Sequence, residues 1–224
     1  MTQLATPALF NFPPQAKVGR VLPKSKIYQH GRVSAALRER FVRQVEQITW
    51  QYKLAPETIN LPARSGVAEI EIFDIVLKTD ALDEDVLRAI DRAIPLPIVF
   101  QLQHGQRTRM VAAHKRPSAA EAGKWVIDGY FAGEWQPAAA ERRALPIALD
   151  LLSLYEQLLR SLLSQAARPG ESLPEQVERL TRLRSMQNEF RKLEARLRKE
   201  KQFNRKVDLN AELRKIGTTM ENLV

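Results

Sequence analysis

Several features of common active sites are missing from this sequence. It contains no cysteine and only nine glycines in 224 residues. Without cysteine, the chain cannot form a disulfide, a thiolate zinc site or a cysteine nucleophile. No glycine-rich phosphate loop follows a predicted strand, and there is neither a nucleophile elbow nor a helical HExxH pair. These absences exclude the enzyme classes that such motifs identify, and we expect no cofactor, no metal ion and no catalytic residue.

Long uncharged apolar runs are also absent. The most apolar stretch, LPIALDLLSLYEQLLRSLL, contains Asp150, Glu156 and Arg160. Charges at these positions favour a buried helix over a membrane span. The first residues, MTQLATPALFNFPP, lack the basic region of a secretory signal, and prolines interrupt their apolar run. We therefore predict a cytoplasmic protein that makes no contact with a membrane.

Positive charge is abundant and unevenly distributed. The chain has a net charge of +9, with 35 Lys and Arg against 26 Asp and Glu. Residues 179–215 alone contain thirteen basic and five acidic side chains. Because the rest of the chain is nearly neutral, attraction to a polyanion is expected mainly from this C-terminal segment.

The sequence Arg168-Pro169-Gly170 marks a boundary, because proline and glycine interrupt regular structure. We predict an α+β core domain over residues 1–168 and a basic amphipathic helical arm over residues 171–224. The core is expected to include a leucine-rich, broadly buried helix at 145–167.

The pattern of the core predicts a mixed sheet of about four strands with helices packed on it. Four segments have the alternating or β-branched composition of strands: 68–78, 97–103, 109–115 and 124–135. A helix capped by Asp80 separates the first two segments, which indicates a strand-helix-strand unit, and the later strands form an antiparallel meander.

The residues ahead of this sheet are predicted to contain one helix. Residues 1–32 are expected to form an irregular arm packed on the core. A helix capped by Ser34 and stopped by Pro56 is predicted from the spacing of Leu37, Phe41, Val45, Ile48 and Tyr52. Trp50 and Tyr52 are expected to be core anchors rather than a binding surface.

The arm begins at a capping box, Ser172 to Glu175, and contains two apolar stripes. The stripes consist of Phe190, Leu193 and Leu197, and of Leu209, Leu213 and Ile216. Since one heptad phase cannot include both, we predict a stutter, a bend or a hairpin near residues 200–208. The stripes could pack on any of three surfaces: the core, a second copy of the chain, or a protein partner, as in a coiled coil.

Seven basic residues of the arm are candidates for binding nucleic acid: Arg191, Lys192, Arg198, Lys199, Lys201, Arg205 and Lys206. At about 100° per residue they lie away from the apolar stripe, and contact with phosphates needs little more than dense Lys and Arg. Two other interpretations remain open: a solvated helix face, and a basic face that docks on an acidic protein surface. Asn204 falls on the apolar seam, where it could fix the register of a helix pairing, whereas an exposed kink would place it in water.

An enzymatic alternative is a metal-dependent nuclease or nucleotide hydrolase that uses Glu46, Asp74 or Asp128. Asp74 and Lys78 are four residues apart, whereas restriction-type nucleases place an acid and a lysine two residues apart on one strand. His104 and His114 flank the predicted hairpin of strands and could be neighbours across it. No carboxylate stands at a spacing that completes a metal site with them.

Seven segments, spread over most of the chain, have a specific pattern. They are ALFNFP, VLPKSKIYQH, EQITWQYKLAPETINLP, IEIFDIVLK, AIDRAIPLPIVFQL, KWVIDGYFAGEW and RKEKQFNRKVDLNAELRK. With these segments the chain resembles the bacterial domain-of-unknown-function family numbered 4391. The resemblance implies a genomic neighbourhood of helicases and DNA methyltransferases in restriction-like defence loci, and it supplies no catalytic residue. This association favours an accessory role in nucleic-acid processing.

These observations predict a non-enzymatic accessory protein in a bacterial DNA-processing or phage-defence system. Its expected ligands are nucleic acid, a helicase or methyltransferase partner, or both. A structural homo-oligomer built through the arm is a further alternative.

Overall fold

A computed structural model describes residues 9–64, 66–117 and 125–224. The chain divides into two compact units, Met1–Leu163 and Ser164–Val224. Residues 1–8 of the predicted N-terminal arm and Lys124 of the last predicted strand lie outside the described residues. Within the described ranges, no helix has the length and apolar character needed to cross a membrane.

The first unit contains helices and strands, and the second unit contains helices. The helices of the first unit are α1 (Lys24–His30), α2 (Ala35–Gln44), α3 (Pro56–Ile59), α4 (Glu84–Ala93) and α5 (Leu151–Arg160). The strands are β1 (Lys17–Val21), β2 (Val45–Leu54), β3 (Ile70–Leu77), β4 (Ile98–His104), β5 (Arg107–Pro117), β6 (Trp125–Ala132) and β7 (Gln136–Pro137). The helices of the second unit are α6 (Leu173–Lys199) and α7 (Phe203–Glu221).

The strands form a mixed sheet with the order β1-β2-β3-β4-β5-β6, and β7 pairs with β5. β3 and β4 are parallel and are connected through α4, while the other pairs are antiparallel. The predicted α+β class and mixed sheet are confirmed, and the four predicted strands correspond to β3, β4, β5 and β6. The sheet is larger than predicted because β1, β2 and β7 extend it.

The helix predicted from Ser34 to Pro56 is wrong in its second half. Ser34 does cap α2, but the helix ends at Gln44 and the chain continues as β2. β2 pairs with both β1 and β3, so its backbone groups form hydrogen bonds with neighbouring strands rather than within a helix. That tertiary pairing favours the extended form of a segment whose β-branched and aromatic residues suit a strand.

The prediction of an irregular arm over residues 1–32 is also wrong for the described part of that range. β1 and α1 both lie in it. β1 is an edge strand with all five residues exposed, so it has no alternation of buried and exposed positions by which a sequence pattern could identify it. Gly19 has a φ of +66°, and the register of pairing shifts beside it, as expected of a bulge.

Two helices begin later than predicted. The helix predicted at 145–167 is present only as α5, because Asp150 caps it by accepting a hydrogen bond from Ser153 N at 2.8 Å. The residues before Asp150 are not helical, and Ile147 is 96% exposed. In the same way Asp83, rather than Asp80, caps α4.

Both faces of β3 are covered. Phe73 and Ile75 on one face belong to a core cluster that also contains Phe41 of α2 and Ile90 of α4. On the other face Ile72 is fully buried. Trp50 packs against the edge of the core cluster, and the Tyr52 ring lies 5.0 Å from the ring of Phe12. These contacts are those expected of core anchors.

A buried ion pair connects α4 to the sheet. Lys115 Nζ of β5 lies 2.5 Å from Asp91 Oδ1 of α4 and donates a hydrogen bond to Leu96 O at 2.5 Å. Tyr130 of β6 donates a hydrogen bond to the second Asp91 oxygen. Burial raises the pKa of Asp91 and lowers the pKa of Lys115, while the attraction between the two opposes both changes. Each charge therefore depends on the other to stay in the core.

We expect Asp91→Ala to lower the free energy of unfolding by about 3–5 kcal/mol, because it leaves the Lys115 ammonium buried without a counter-ion. Urea denaturation measures the loss. The double variant Asp91→Leu/Lys115→Met should recover much of it, since no unpaired charge remains. Arg40→Ala is the control: it removes partly exposed ion pairs with Asp83 and Asp85 and should cost at most about 1 kcal/mol. Equal losses in Asp91→Ala and the control would contradict the prediction.

Glu71 on β3 gives a pH dependence of stability. It is 3% exposed and accepts a hydrogen bond from Trp50 Nε1 at 2.5 Å. Burial, followed by the nearby Glu69 carboxylate, raises the pKa of Glu71 to about 7. Because the folded protein then holds this proton more tightly than the unfolded chain, the stability from Glu71 is greatest below pH 4.5 and is lost as the pH rises to 7.

We expect the free energy of unfolding to fall by about 2 kcal/mol more between pH 5 and pH 8 in the natural protein than in Glu71→Gln. The glutamine keeps an acceptor for Trp50 but has no titrating proton. Urea denaturation at both pH values measures the difference. Parallel pH profiles of the two proteins would show that Glu71 titrates normally.

Candidate nucleic-acid interface

The second unit is a helical hairpin whose two apolar stripes face each other. α6 begins at the predicted capping box, in which Ser172 N donates to the Glu175 carboxylate at 2.8 Å. The hairpin core contains all six residues proposed to contact a partner: buried Leu193, Leu209, Leu213 and Ile216, with Phe190 and Leu197 packed against them. Of the conformations predicted near residues 200–208, the hairpin is the one present. It lets the stripes pack on each other within one chain.

Arg179 holds the base of the hairpin. Its guanidinium pairs with Glu171 at 2.6 Å and donates to Ala166 O at 3.0 Å and to Leu223 O, beyond the end of α7, at 2.9 Å. The hydrogen bonds from Arg179 lower the pKa of Glu171 to about 2. Arg179 is therefore one of the thirteen basic residues counted in the sequence, yet its charge is used inside the second unit.

A three-residue turn reverses the chain between α6 and α7. Glu200 follows α6 in an extended conformation, with φ −70° and ψ 136°. Its carboxylate accepts hydrogen bonds from Lys201 N at 2.8 Å and Gln202 N at 2.9 Å. These backbone bonds, aided by the charges of Arg205 and Lys206, lower the pKa of Glu200. The ionised carboxylate thus fixes the turn.

The turn brings five of the seven predicted nucleic-acid-binding residues to one end of the hairpin. We call these five residues the basic tip: Arg198, Lys199, Lys201, Arg205 and Lys206. Arg191 and Lys192 lie farther back on α6, about 10–12 Å along the axis from Lys199. All seven residues are exposed, and the five of the basic tip, which come from the end of α6, the turn and the start of α7, present their charges to solvent at the same end.

Little acidic charge balances the basic tip. Residues 191–206 include eight basic side chains and two acidic ones, Glu194 and Glu200. Among the described residues, no carboxylate forms an ion pair with a member of the basic tip. Farther back, Arg191 Nη2 donates to Asn188 Oδ1 at 2.7 Å. The charges of the tip are therefore available to an anion from solution.

The start of α7 is an unusual place for cations. In the described chain, Gln202 makes no side-chain hydrogen bond to the first turn of α7, and that turn has no acidic residue. Free backbone N–H groups and the helix dipole make this end of a helix positive, yet Arg205 and Lys206 add positive charge there. The combination disfavours the isolated helix and favours a bound anion.

Two features of the tip were not predicted from the sequence. Phe203, in the middle of the basic run, is 78% exposed, and Val207 is 52% exposed. Asn204 is exposed, as expected of a kink, rather than on the apolar seam, so of the two alternatives the one in which it fixes the register is wrong. The reason is that α7 starts a new helical phase after the turn, which rotates this segment away from the cluster. An aromatic residue flanked by cations was the available signal for Phe203.

The residues of the enzymatic alternative are not brought together. Asp74 accepts a hydrogen bond from Gln101 Nε2 at 2.7 Å, Asp128 lies 2.9 Å from His114 Nδ1, and Glu46 is exposed on β2. In the part of the chain that the structure describes, no group of three or more His, Asp or Glu side chains is arranged to hold a metal ion.

The expected proximity of His104 and His114 is wrong. His104 pairs with Arg107 at the turn between β4 and β5, whereas His114 lies near the far end of β5, opposite Gly129 of β6. The two imidazoles are thus at opposite ends of the ladder, because the hairpin turn is formed immediately after His104.

Comparison with known proteins bears on the whole chain. A family model described as "Domain of unknown function (DUF4391)" matches residues 10–220. No curated protein and no solved structure gives a significant match. The family match includes the sheet, the hairpin and the basic tip. Because it covers nearly the full length, the chain belongs to the family described as a domain of unknown function (DUF4391).

Proposed function

We propose that this protein is a non-enzymatic accessory protein that holds nucleic acid by its phosphates through the basic tip. Its setting is a cytoplasmic bacterial DNA-processing or phage-defence assembly, in which a helicase or DNA methyltransferase is the protein partner. The charge of the tip supports the first part of the proposal. The restriction-like neighbourhood implied by the family resemblance supports the second.

The observation that carries the proposal is the unbalanced positive charge at the start of α7. Proteins usually place Asp or Glu in the first turn of a helix, because these side chains interact favourably with its dipole. Here Arg205 and Lys206 occupy that place, and among the described residues neither forms a close ion pair with a carboxylate, although their charges act on the Glu200 carboxylate of the turn. Departures from a local rule are expected where function requires them. A phosphate at the tip would neutralise both the cations and the free N–H groups.

The chemistry of the tip suits backbone contact rather than recognition of a base sequence. Lys and Arg side chains on an exposed surface neutralise phosphates irrespective of sequence. Phe203 adds a ring on which an unpaired base could stack. We therefore propose sequence-independent binding, with a preference for strands whose bases are accessible.

Salt dependence is the first test. If the five cations of the basic tip contact about five phosphates of duplex DNA, log affinity should fall with log salt at a slope near −4.5. Fluorescence anisotropy of labelled duplex and single-stranded DNA and RNA, titrated with the full chain over a salt series, measures the slope. Tight binding with a slope near zero would contradict phosphate contact. No binding at moderate salt would instead indicate that the tip contacts an acidic protein surface rather than nucleic acid.

Matched variants locate the contact. We expect Lys199→Gln/Arg205→Gln/Lys206→Gln to reduce the magnitude of the salt slope by about 2.7, because three phosphate contacts are lost. The control is Lys17→Gln/Lys26→Gln/Arg43→Gln, which removes the same charge from exposed residues of the first unit. Equal effects of the two variants on affinity and slope would mean that net charge, not the basic tip, causes the binding.

Gln202→Ser tests the helix start without changing charge. Serine is a strong N-cap residue, and it should stabilise the second unit by about 0.5–1 kcal/mol by accepting a hydrogen bond from the first turn of α7. The same bond occupies an N–H group that phosphate would use, so affinity for DNA should fall. Thermal unfolding and anisotropy measure the two effects. A variant that is stabilised and binds DNA unchanged would exclude the helix start from the contact.

A further inference from the structure

The first unit contains a cavity that the proposed function does not use. It has a volume of about 420 Å³ and lies between the ends of α1 and α4 and the strands β5 and β6. His30 and Arg32 line it from the end of α1, and Arg92 lines it from α4. Trp125, at the start of β6, contributes an indole. A cavity of this size accommodates a small organic ligand.

Arg32 is held at the cavity in an unfavourable backbone conformation. Its φ is +50°, in the left-handed region that non-glycine residues rarely occupy. The preceding Gly31 packs against α4 so closely that a Cβ there would lie 2.6 Å from Ala89 O. The close approach of α1 to α4 therefore requires glycine at position 31, but position 32 would be less strained with glycine than with arginine. Strain of this kind suggests that the Arg32 side chain has a use.

A buried ion pair forms the floor of the cavity. The ion pair of Lys115 and Asp91 lies beneath it, with side-chain exposures of 2% and 0%. The hydrogen bond from Lys115 to Leu96 O fixes the chain after α4. Because both charges are paired and out of solvent, they support the position of Arg92 rather than offer a contact to a ligand.

The accessible charges of the cavity are positive. They belong to Arg32 and Arg92, which are both exposed, and Asp91 is the acidic side chain among the described lining residues. Arg92 Nε donates to Arg88 O at 3.3 Å, and its terminal nitrogens have no hydrogen-bond partner among the described residues. Two guanidinium groups provide the planar, multiple donors that match phosphate oxygens. The half-buried Trp125 supplies a face on which a planar ring can stack.

We propose that this cavity binds a nucleoside 5′-monophosphate group, with the phosphate at Arg32 and Arg92 and the base against Trp125. The same chemistry is present in a free mononucleotide and at the 5′-phosphorylated end of a nucleic-acid strand. The site is independent of the basic tip, because the cavity belongs to the first unit and the tip to the second.

Isothermal titration calorimetry of the full chain with AMP tests the site. We expect a single site with a dissociation constant below about 1 mM, and at least tenfold weaker binding of adenosine and of inorganic phosphate, each of which keeps half of the contacts. A 5′-phosphorylated oligonucleotide and its unphosphorylated counterpart distinguish the two sources. Competition of AMP by the phosphorylated strand assigns the strand end, and AMP binding without such competition assigns the free nucleotide.

Variants locate the ligand. Arg32→Gly relieves the left-handed strain, so it should leave thermal stability unchanged or raised while weakening AMP binding at least tenfold. Arg92→Gln should weaken it similarly, and Trp125→Phe should abolish most of the quenching of tryptophan fluorescence by AMP. The control is Arg43→Gln, which removes an exposed charge at the end of α2 outside the cavity and should leave binding unchanged.

The outcomes separate this proposal from the proposed function. Failure of AMP and of the phosphorylated strand end to bind below about 1 mM would overturn the proposal, as would AMP binding that Arg32→Gly and Arg92→Gln leave intact. The basic-tip variant Lys199→Gln/Arg205→Gln/Lys206→Gln should bind AMP as the natural protein does, even though it loses affinity for DNA.

Discussion

The buried ion pair of Lys115 and Asp91 is the interaction on which the first unit depends. Asp91 lies on the helix that connects the parallel strands β3 and β4, while Lys115 and Tyr130 lie on the antiparallel strands β5 and β6. The pair therefore joins the crossover part of the sheet to the meander. Neither charge can remain in the core without the other, because the free-energy cost of desolvating a single ion exceeds the favourable free energy of packing its side chain. The proposed nucleotide site is built over this pair.

In the second unit, the end of the hairpin held by Arg179 is stabilised by many contacts, whereas the basic tip at the other end carries unfavourable interactions. Arg179 and its carboxylate and carbonyl partners hold the base of the hairpin, and the cluster of Leu193, Leu209, Leu213 and Ile216 holds its length. These contacts allow the start of α7 to lack a cap and to carry cations against the helix dipole. The stability of the end held by Arg179 thus permits a positively charged surface at the turn, where an anion could bind.

The elements that sequence patterns identified are those whose local composition agrees with their final environment. β3 and β4 are rich in β-branched residues and largely buried, and α6 starts at a capping box, so local and tertiary preferences coincide. β2 was missed because its apolar residues also fit the spacing of a helix, and its pairing with two neighbouring strands decided between the alternatives. β1 was missed because an exposed edge strand has no buried face. For the candidate site, the sequence identified the cations of the tip but not the exposure of Phe203.

By itself, the sequence determined that the C-terminal segment is strongly basic and amphipathic and that its two apolar stripes cannot share one helical phase. Only the tertiary structure decided that the stripes pack on each other, which turns the chain and gathers the basic tip. Likewise, Arg32, Arg92 and Trp125 are far apart in the sequence, and no pattern links them. They meet because α1 and α4 pack closely at Gly31 and because the sheet carries β6 past the end of α4. Local composition sets which charges exist, whereas chain reversal and packing set which of them are neighbours.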